Sequence, residues 1–200
     1  MLPAVVGLVA WTATAPAQPP VRVTVVGDSV SAALQYVAGA RLSLARGFDA
    51  RFDLAVCRRL ATTGCPYRGG IPPSALDMVR GAGTSLGQVL VVDVGYNDDP
   101  HFYASGMDSL VQAAHAAGVK RIVWLTLRTA QPIYGLTNTV IRTEARKFPE
   151  VTVADWNAWS AGKPWFGSDG LHLSGSGATA LAQFLRPYLL AAADSIRAES

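Results

Sequence analysis

Three short strings hold the residue types from which an activated hydroxyl can be assembled: Gly27-Asp28-Ser29, Gly95-Tyr96-Asn97-Asp98 and Asp169-Gly170-Leu171-His172. A serine hydroxyl attacks poorly until a base takes its proton, so Ser29 needs an imidazole within hydrogen-bond reach. The chain has three histidines. His115 falls within a predicted amphipathic helix and reads as a surface or core residue. His101 follows Asp98-Asp99-Pro100 and is a second candidate. His172 comes shortly after Asp169 in a glycine-rich loop, which can turn the carboxylate to one ring nitrogen while the other faces the serine. Acyl transfer further requires donors aimed at a developing oxyanion, and the Asn97 amide and the Ser29 N–H are suited to that task. Each string alone has a plainer reading. Gly-Asp-Ser makes an Asx turn into a helix cap, Asn97-Asp98 a polar turn, and Asp169 a turn residue beside a helix N-terminus.

These residues must be positioned by the elements around them. Val21 to Val26 is a β-branched run, Phe52 to Cys57 a second short strand, and Val89 to Val94 a continuous apolar run of the kind buried on both faces. Ile122 to Leu127 and Val151 to Ala154 complete five predicted strands. Helical spacing lies between them. The predicted helices run from Ser31 to Arg46, from Ser74 to Arg80, from about Gly106 to Ala117, from Thr137 to Phe148 and from about Ser174 to Ala193. Strands alternating with helices predict a parallel α/β sheet covered on both faces, because parallel neighbours need crossover connections. Ligands of such sheets bind beyond the carboxyl ends of the strands, and both Ser29 and Asn97 follow a predicted strand.

Half of the 200 residues are hydrophobic and 16% are charged, which fits one globular domain. The net charge of +3 comes from scattered Lys and Arg, so no nucleic-acid stripe is expected. Residues 1–17 are apolar and small, and Ala15-Pro16-Ala17 has the form of a signal-peptidase site, although no Lys or Arg precedes the apolar run. They are read as a leader, residues 18–20 as a Pro-rich lead-in and 21–195 as the domain. The leader is too short for a comfortable membrane span. Cys57 and Cys65 are the only cysteines. They lack the further ligands a zinc site needs, and they read as a disulfide formed in an oxidising compartment, the alternative being two buried free thiols. No metal, cofactor, nucleic acid or stable membrane insertion is expected.

Two other serine-hydrolase patterns fit poorly. No G-x-S-x-G elbow occurs. In chymotrypsin-like proteases the Gly-Asp-Ser serine comes after its His and Asp, whereas here it comes first. Over residues 21 to 193 the chain resembles the SGNH, or GDSL-type, hydrolases. Gly27-Asp28-Ser29 looks like their first block, Gly95-x-Asn97-Asp98 their third and Asp169-x-x-His172 their fifth. The resemblance implies a flavodoxin-like, three-layer sandwich. It also implies Ser29 as nucleophile, His172 as base, Asp169 as its orienter and Asn97 as oxyanion donor. The family's second block is a glycine after strand two; here Cys57 occupies that position, with Gly64 further on, so the backbone donor is Cys57 or Gly64. Asp28, Gly95 and Trp165 are expected to contact substrate. Trp156, Trp159, Trp165 and Phe166 near Asp169 could stack on a sugar or line an acyl slot, or pack under the last helix. The small exported actinobacterial members are the most similar, as are catalytic domains of peptidoglycan O-acetyltransferases. The expected activity is hydrolysis or transfer of a short acyl group on oxygen, from a small-molecule or glycan ester. An O-acetyltransferase or acetylesterase of cell-wall glycans is the alternative, and a carbohydrate-binding scaffold without catalysis a third possibility.

Overall fold

The computed structural model describes residues 19–199, so the expected leader lies outside the described residues. Five strands form one sheet in the order β2-β1-β3-β4-β5, with every neighbouring pair parallel. They are β1 (Arg22–Gly27), β2 (Asp49–Leu54), β3 (Val89–Asp93), β4 (Arg121–Leu125) and β5 (Val151–Ala154). This is the doubly wound order in which the chain reverses direction between β1 and β3. The helices are α1 (Ala33–Tyr36), α2 (Ala38–Ala45), α3 (Ala75–Ala82), α4 (Pro100–Ala116), α5 (Pro132–Ala145), α6 (Trp156–Trp159) and α7 (Gly175–Ala198).

Alternation along the strands divides the core between two faces. Val26, Leu90, Val92, Ile122 and Trp124 point to one face, where α3, α4 and α5 cover them. Val23, Val25, Val89, Val91, Val123 and Leu125 point to the other, beneath α1, α2 and α7. The three-layer architecture expected from the sequence is the one found. All five residues of β3 are buried, as a central parallel strand requires.

Element boundaries depart from expectation in ways that matter for the site. Strand β2 ends at Leu54, three residues before Cys57, which leaves Val56 and Cys57 in a turn. Helix α4 begins at Pro100 rather than near Gly106, because Asp99 caps it by accepting from the His101 N–H and Pro100 supplies the fixed φ of a first turn. Helix α5 begins at Pro132, whose ring again sets the φ of the first turn, here without a side-chain cap. The helix expected over Ser31 to Arg46 is broken at Val37 into α1 and α2.

Candidate active site

Loops leaving the carboxyl ends of β1, β2 and β3, together with the loop before α7, converge at one edge of the sheet. Ser29 follows β1 and Asn97 follows β3, on either side of the point where strand order reverses. Asp169 and His172 lie in the loop that leads into α7.

That loop is held by its own backbone. Asp169 Oδ1 accepts the N–H groups of Leu171 (2.9 Å) and His172 (3.0 Å), an Asx turn that fixes the carboxylate. Its Oδ2 lies 2.6 Å from His172 Nδ1. The hydrogen bond from the imidazole, then those from the two backbone groups, hold the Asp169 carboxyl down at about 2. A carboxylate that stays ionised can only accept, so Nδ1 keeps its proton and donates it in this bond, which leaves Nε2 as an acceptor. His172 Nε2 lies 3.0 Å from Ser29 Oγ. The structure thus brings all three residues into one chain of hydrogen bonds. A hydroxyl whose proton points at a neutral imidazole backed by a carboxylate can be deprotonated as it attacks. His101 is elsewhere: it pairs with Asp99 at 2.9 Å, and its side chain is 86% exposed. His115 pairs with Glu150.

Asn97 Nδ2 donates to the carbonyl of Arg58 at 3.1 Å. An amide NH₂ has two hydrogens, so this bond orients the group and leaves one N–H to give. Cys57 is bridged to Cys65, with Cα atoms 5.3 Å apart. It takes φ +69°, a left-handed conformation. Among the described residues, neither the Ser29 N–H nor the Cys57 N–H has an acceptor. Gly64 is buried against the Cys57 carbonyl and Pro72, where a Cβ would come within 2.7 Å of each.

Two expected substrate contacts are corrected. Asp28 has no exposed surface. Its Oδ1 accepts from the Val30 N–H at 3.0 Å, and its Oδ2 accepts from the N–H groups of Gly95 and Tyr96, each at 3.3 Å. It ties the loop of Ser29 to the loop of Asn97 from behind and cannot touch substrate. Gly95 is likewise buried. At φ +149° it turns the chain where a Cβ would press on Leu127 and the Tyr103 ring, 3.0 to 3.1 Å away. Trp165, the third, is half-buried. Its ring stacks on Trp156 and meets Trp159 at 4.8 Å, in a cluster closed by Phe184 of α7.

Two arginines escaped the sequence reading. Arg128, just beyond β4, donates through Nε to the Gly170 carbonyl at 2.6 Å and lies 3.8 Å over the Phe166 ring, clamping the Asp169–His172 loop. Its N–H also reaches the Tyr96 hydroxyl at 2.7 Å, beside Asn97. Arg58 is a buried guanidinium that donates to the Asp53 carbonyl, the Asp53 carboxylate and the Pro73 carbonyl. Their position just after predicted strands was the one available signal.

Asp93, at the end of β3, is buried with Asp28, and the Ser31 hydroxyl beside it offsets only part of the cost of ionising it. Removal from water pushes both carboxyls up, and their mutual repulsion adds to the shift of Asp28. An acid that is harder to ionise folded than unfolded supplies stability below its ordinary value near 4, and that contribution is lost as pH rises through the folded-state range. Stability should therefore fall from about pH 4 to past neutrality. Asp93→Asn, which cannot ionise, should raise the melting temperature at pH 8 and change it little at pH 4.5. Equal shifts at the two pH values, measured by scanning calorimetry, would refute this account.

A cavity of about 750 Å³ opens beside Asn97, with Leu60, Phe102, Ile133 and Leu136 among its lining. Of these, Phe102 (68%) and Leu136 (61%) are the most exposed, so they offer apolar surface to a ligand.

No family model and no curated protein matches the chain. Solved structures do. A carbohydrate acetylesterase family member from Sinorhizobium meliloti superposes with a TM-score of 0.64 at 14% identity, covering 85% of this chain and 98% of its own. A family 3 carbohydrate esterase from Clostridium thermocellum gives 0.59 at 17%, covering 90% and 98%. A psychrotrophic esterase from Pseudoalteromonas sp. gives 0.59 at 13%, covering 87% and 97%. The likeness is one of fold.

Proposed function

We propose that this protein is a serine esterase that cleaves a short acyl group from oxygen through an acyl-enzyme at Ser29. The observation that carries the reading is the unbroken chain Asp169–His172–Ser29, with bonds of 2.6 and 3.0 Å, at the ligand-binding edge of the sheet. Ser29 Oγ attacks the ester carbonyl as His172 Nε2 takes its proton, while Asp169 holds the ring and offsets the positive charge that forms. The carbonyl oxygen, now an oxyanion, is met by the Ser29 N–H, the Cys57 N–H and the free Asn97 amide hydrogen. The C–O bond to the alcohol breaks as His172 returns the proton to that oxygen. A water deprotonated by His172 then attacks the acyl carbon, and Ser29 leaves with the proton.

With the alcohol on the His172 side and the oxyanion on the Asn97 amide, the cavity that opens past Asn97 is the apolar surface on offer to the acyl chain. Each methylene that becomes fully buried there is worth ~0.8 kcal/mol, or about fourfold in kcat/KM. Butyrate should accordingly be turned over several-fold better than acetate as the p-nitrophenyl ester. Equal kcat/KM would remove the cavity from the acyl side.

The names of two structural neighbours favour a second reading, an acetylesterase of carbohydrates, with O-acetyl transfer to a glycan as its variant. The same chemistry serves both, since only the acceptor, water or a sugar hydroxyl, differs. The Cys57–Cys65 bridge supports an exported protein. Incubation with p-nitrophenyl acetate and butyrate, followed by intact-mass measurement, should show one acyl adduct that is absent from Ser29→Ala. Adding glycan acceptors decides between hydrolysis and transfer. Absence of both turnover and an adduct would sink the esterase reading.

A further inference from the structure

Residues Ala55 to Arg58 form a tight turn closed by a hydrogen bond from the Arg58 N–H to the Ala55 carbonyl at 3.2 Å. Its third residue, Cys57, has positive φ, whereas Val56 does not, which makes this a type II turn. Such turns call for glycine at the third position, since a side chain there costs energy. The ends of the turn are anchored. Ala55 donates to the Gly27 carbonyl at 3.1 Å, the Arg58 carbonyl accepts from Asn97, and the Arg58 side chain is buried on Asp53 and Pro73. The middle peptide is not: among the described residues, neither the Val56 carbonyl nor the Cys57 N–H has a hydrogen-bond partner. A type II turn becomes type I by rotating that middle peptide alone, with its ends nearly fixed. For two L-residues, type I is the easier form.

What opposes the rotation is the covalent tie on the Cys57 side chain. The bridge runs to Cys65, whose N–H also donates to the Cys57 carbonyl at 3.2 Å. We propose that Cys65 is a positioning residue for catalysis: the bridge holds the Val56–Cys57 peptide with its N–H toward the oxyanion, and reduction releases it to flip. The flip puts the Val56 carbonyl where the N–H stood, so a donor is replaced by a group that repels the oxyanion. The inference rests on the reading of Cys57 N–H as an oxyanion donor. Reduction by a water-soluble phosphine balances: the S–S bond takes two electrons, two thiols form, and the phosphine leaves as its oxide with oxygen from water.

A population that favours the flipped turn by the cost of a left-handed side chain lowers kcat by about 5-fold to about 30-fold, with KM little changed. The test compares oxidised and phosphine-reduced protein with two double variants, using p-nitrophenyl butyrate turnover and the rate at which a fluorophosphonate labels Ser29. Cys57→Ala with Cys65→Ser should match the reduced protein. Cys57→Gly with Cys65→Ser should recover kcat to within about twofold, because glycine takes positive φ freely. Both doubles lose the bridge and should lose similar melting temperature, so a purely structural bridge predicts equal kcat in the two. Unchanged kcat on reduction, or no recovery with glycine, overturns the proposal while Ser29 labelling leaves the esterase reading standing. Absence of both turnover and labelling in oxidised protein removes that reading and this inference with it.

Discussion

Replacing Ser29 with alanine should lower ester turnover by about 10⁴- to 10⁶-fold while leaving the fold intact, and His172→Ala should be as damaging. The two act as one device, since the hydroxyl is inert without the base and the base has no proton to take without the hydroxyl. The double variant should therefore be no worse than either single one. What survives is the contribution of positioning and the oxyanion donors, which act without the nucleophile. Stability should move by no more than about 0.5 kcal/mol, because the imidazole is half exposed and Ser29 loses one oxygen from a partly exposed site. His101→Ala separates this from a general histidine effect. Its ring pairs with Asp99 and lines the cavity beside Asn97 with no hydrogen bond to Ser29, so its loss should touch KM more than kcat. The checks are kcat by p-nitrophenolate release and melting temperature on the same preparations. Near wild-type turnover in Ser29→Ala, or greater damage from His101 than from His172, would dismantle the proposed triad.

The sequence revealed the layers because the physics behind them is local and repetitive. Val89 to Val92 can only be a strand buried on both faces, and Gly118 stops α4 where a helix wants a left-handed residue. Boundaries were harder to place, since caps compete with periodicity. Asp99-Pro100 and Pro132 start their helices earlier than the apolar pattern suggests, and Val56-Cys57 looks like strand although the turn claims it.

The Ser29, Asp169 and His172 strings stood out by residue type, and the fold sets Ser29 beyond β1 within hydrogen-bond reach of the loop before α7 that holds the other two. The roles of Asp28 and Gly95 did not stand out. A carboxylate next to Ser29 reads as part of the site, and only burial shows that it spends its acceptors on Val30, Gly95 and Tyr96. Arg128 was invisible for a related reason. Its partners are carbonyls, at Gly170 and Ser160, which every residue possesses and no composition reveals. Trp165 shows the limit of residue type, because a half-buried ring that stacks on Trp156 can still offer its open face to a sugar.

Asn97→Ala should depress kcat by roughly 10²- to 10³-fold, a loss of about 3–4 kcal/mol of transition-state stabilisation. KM should move little, because the ground-state carbonyl accepts a weaker bond than the oxyanion. The residue has a second duty, since its amide also donates to the Arg58 carbonyl and so ties the loop after β3 to the turn that carries Cys57. Losing that bond alone predicts a stability change of about 1 kcal/mol with kcat per folded molecule preserved. Asn97→Asp separates the two duties further. It keeps the shape of the side chain but can donate neither to Arg58 nor to substrate, and its charge opposes the charge that forms on the carbonyl oxygen. Activity per folded molecule should therefore fall further in Asp than in Ala, and stability should fall further too, because the carboxylate faces the Arg58 carbonyl oxygen. Melting temperature and kcat measured together decide the matter. If Asn97→Ala melts lower but turns over ester at the wild-type rate, the amide is a strut for the turn, and the oxyanion is met by backbone N–H groups alone.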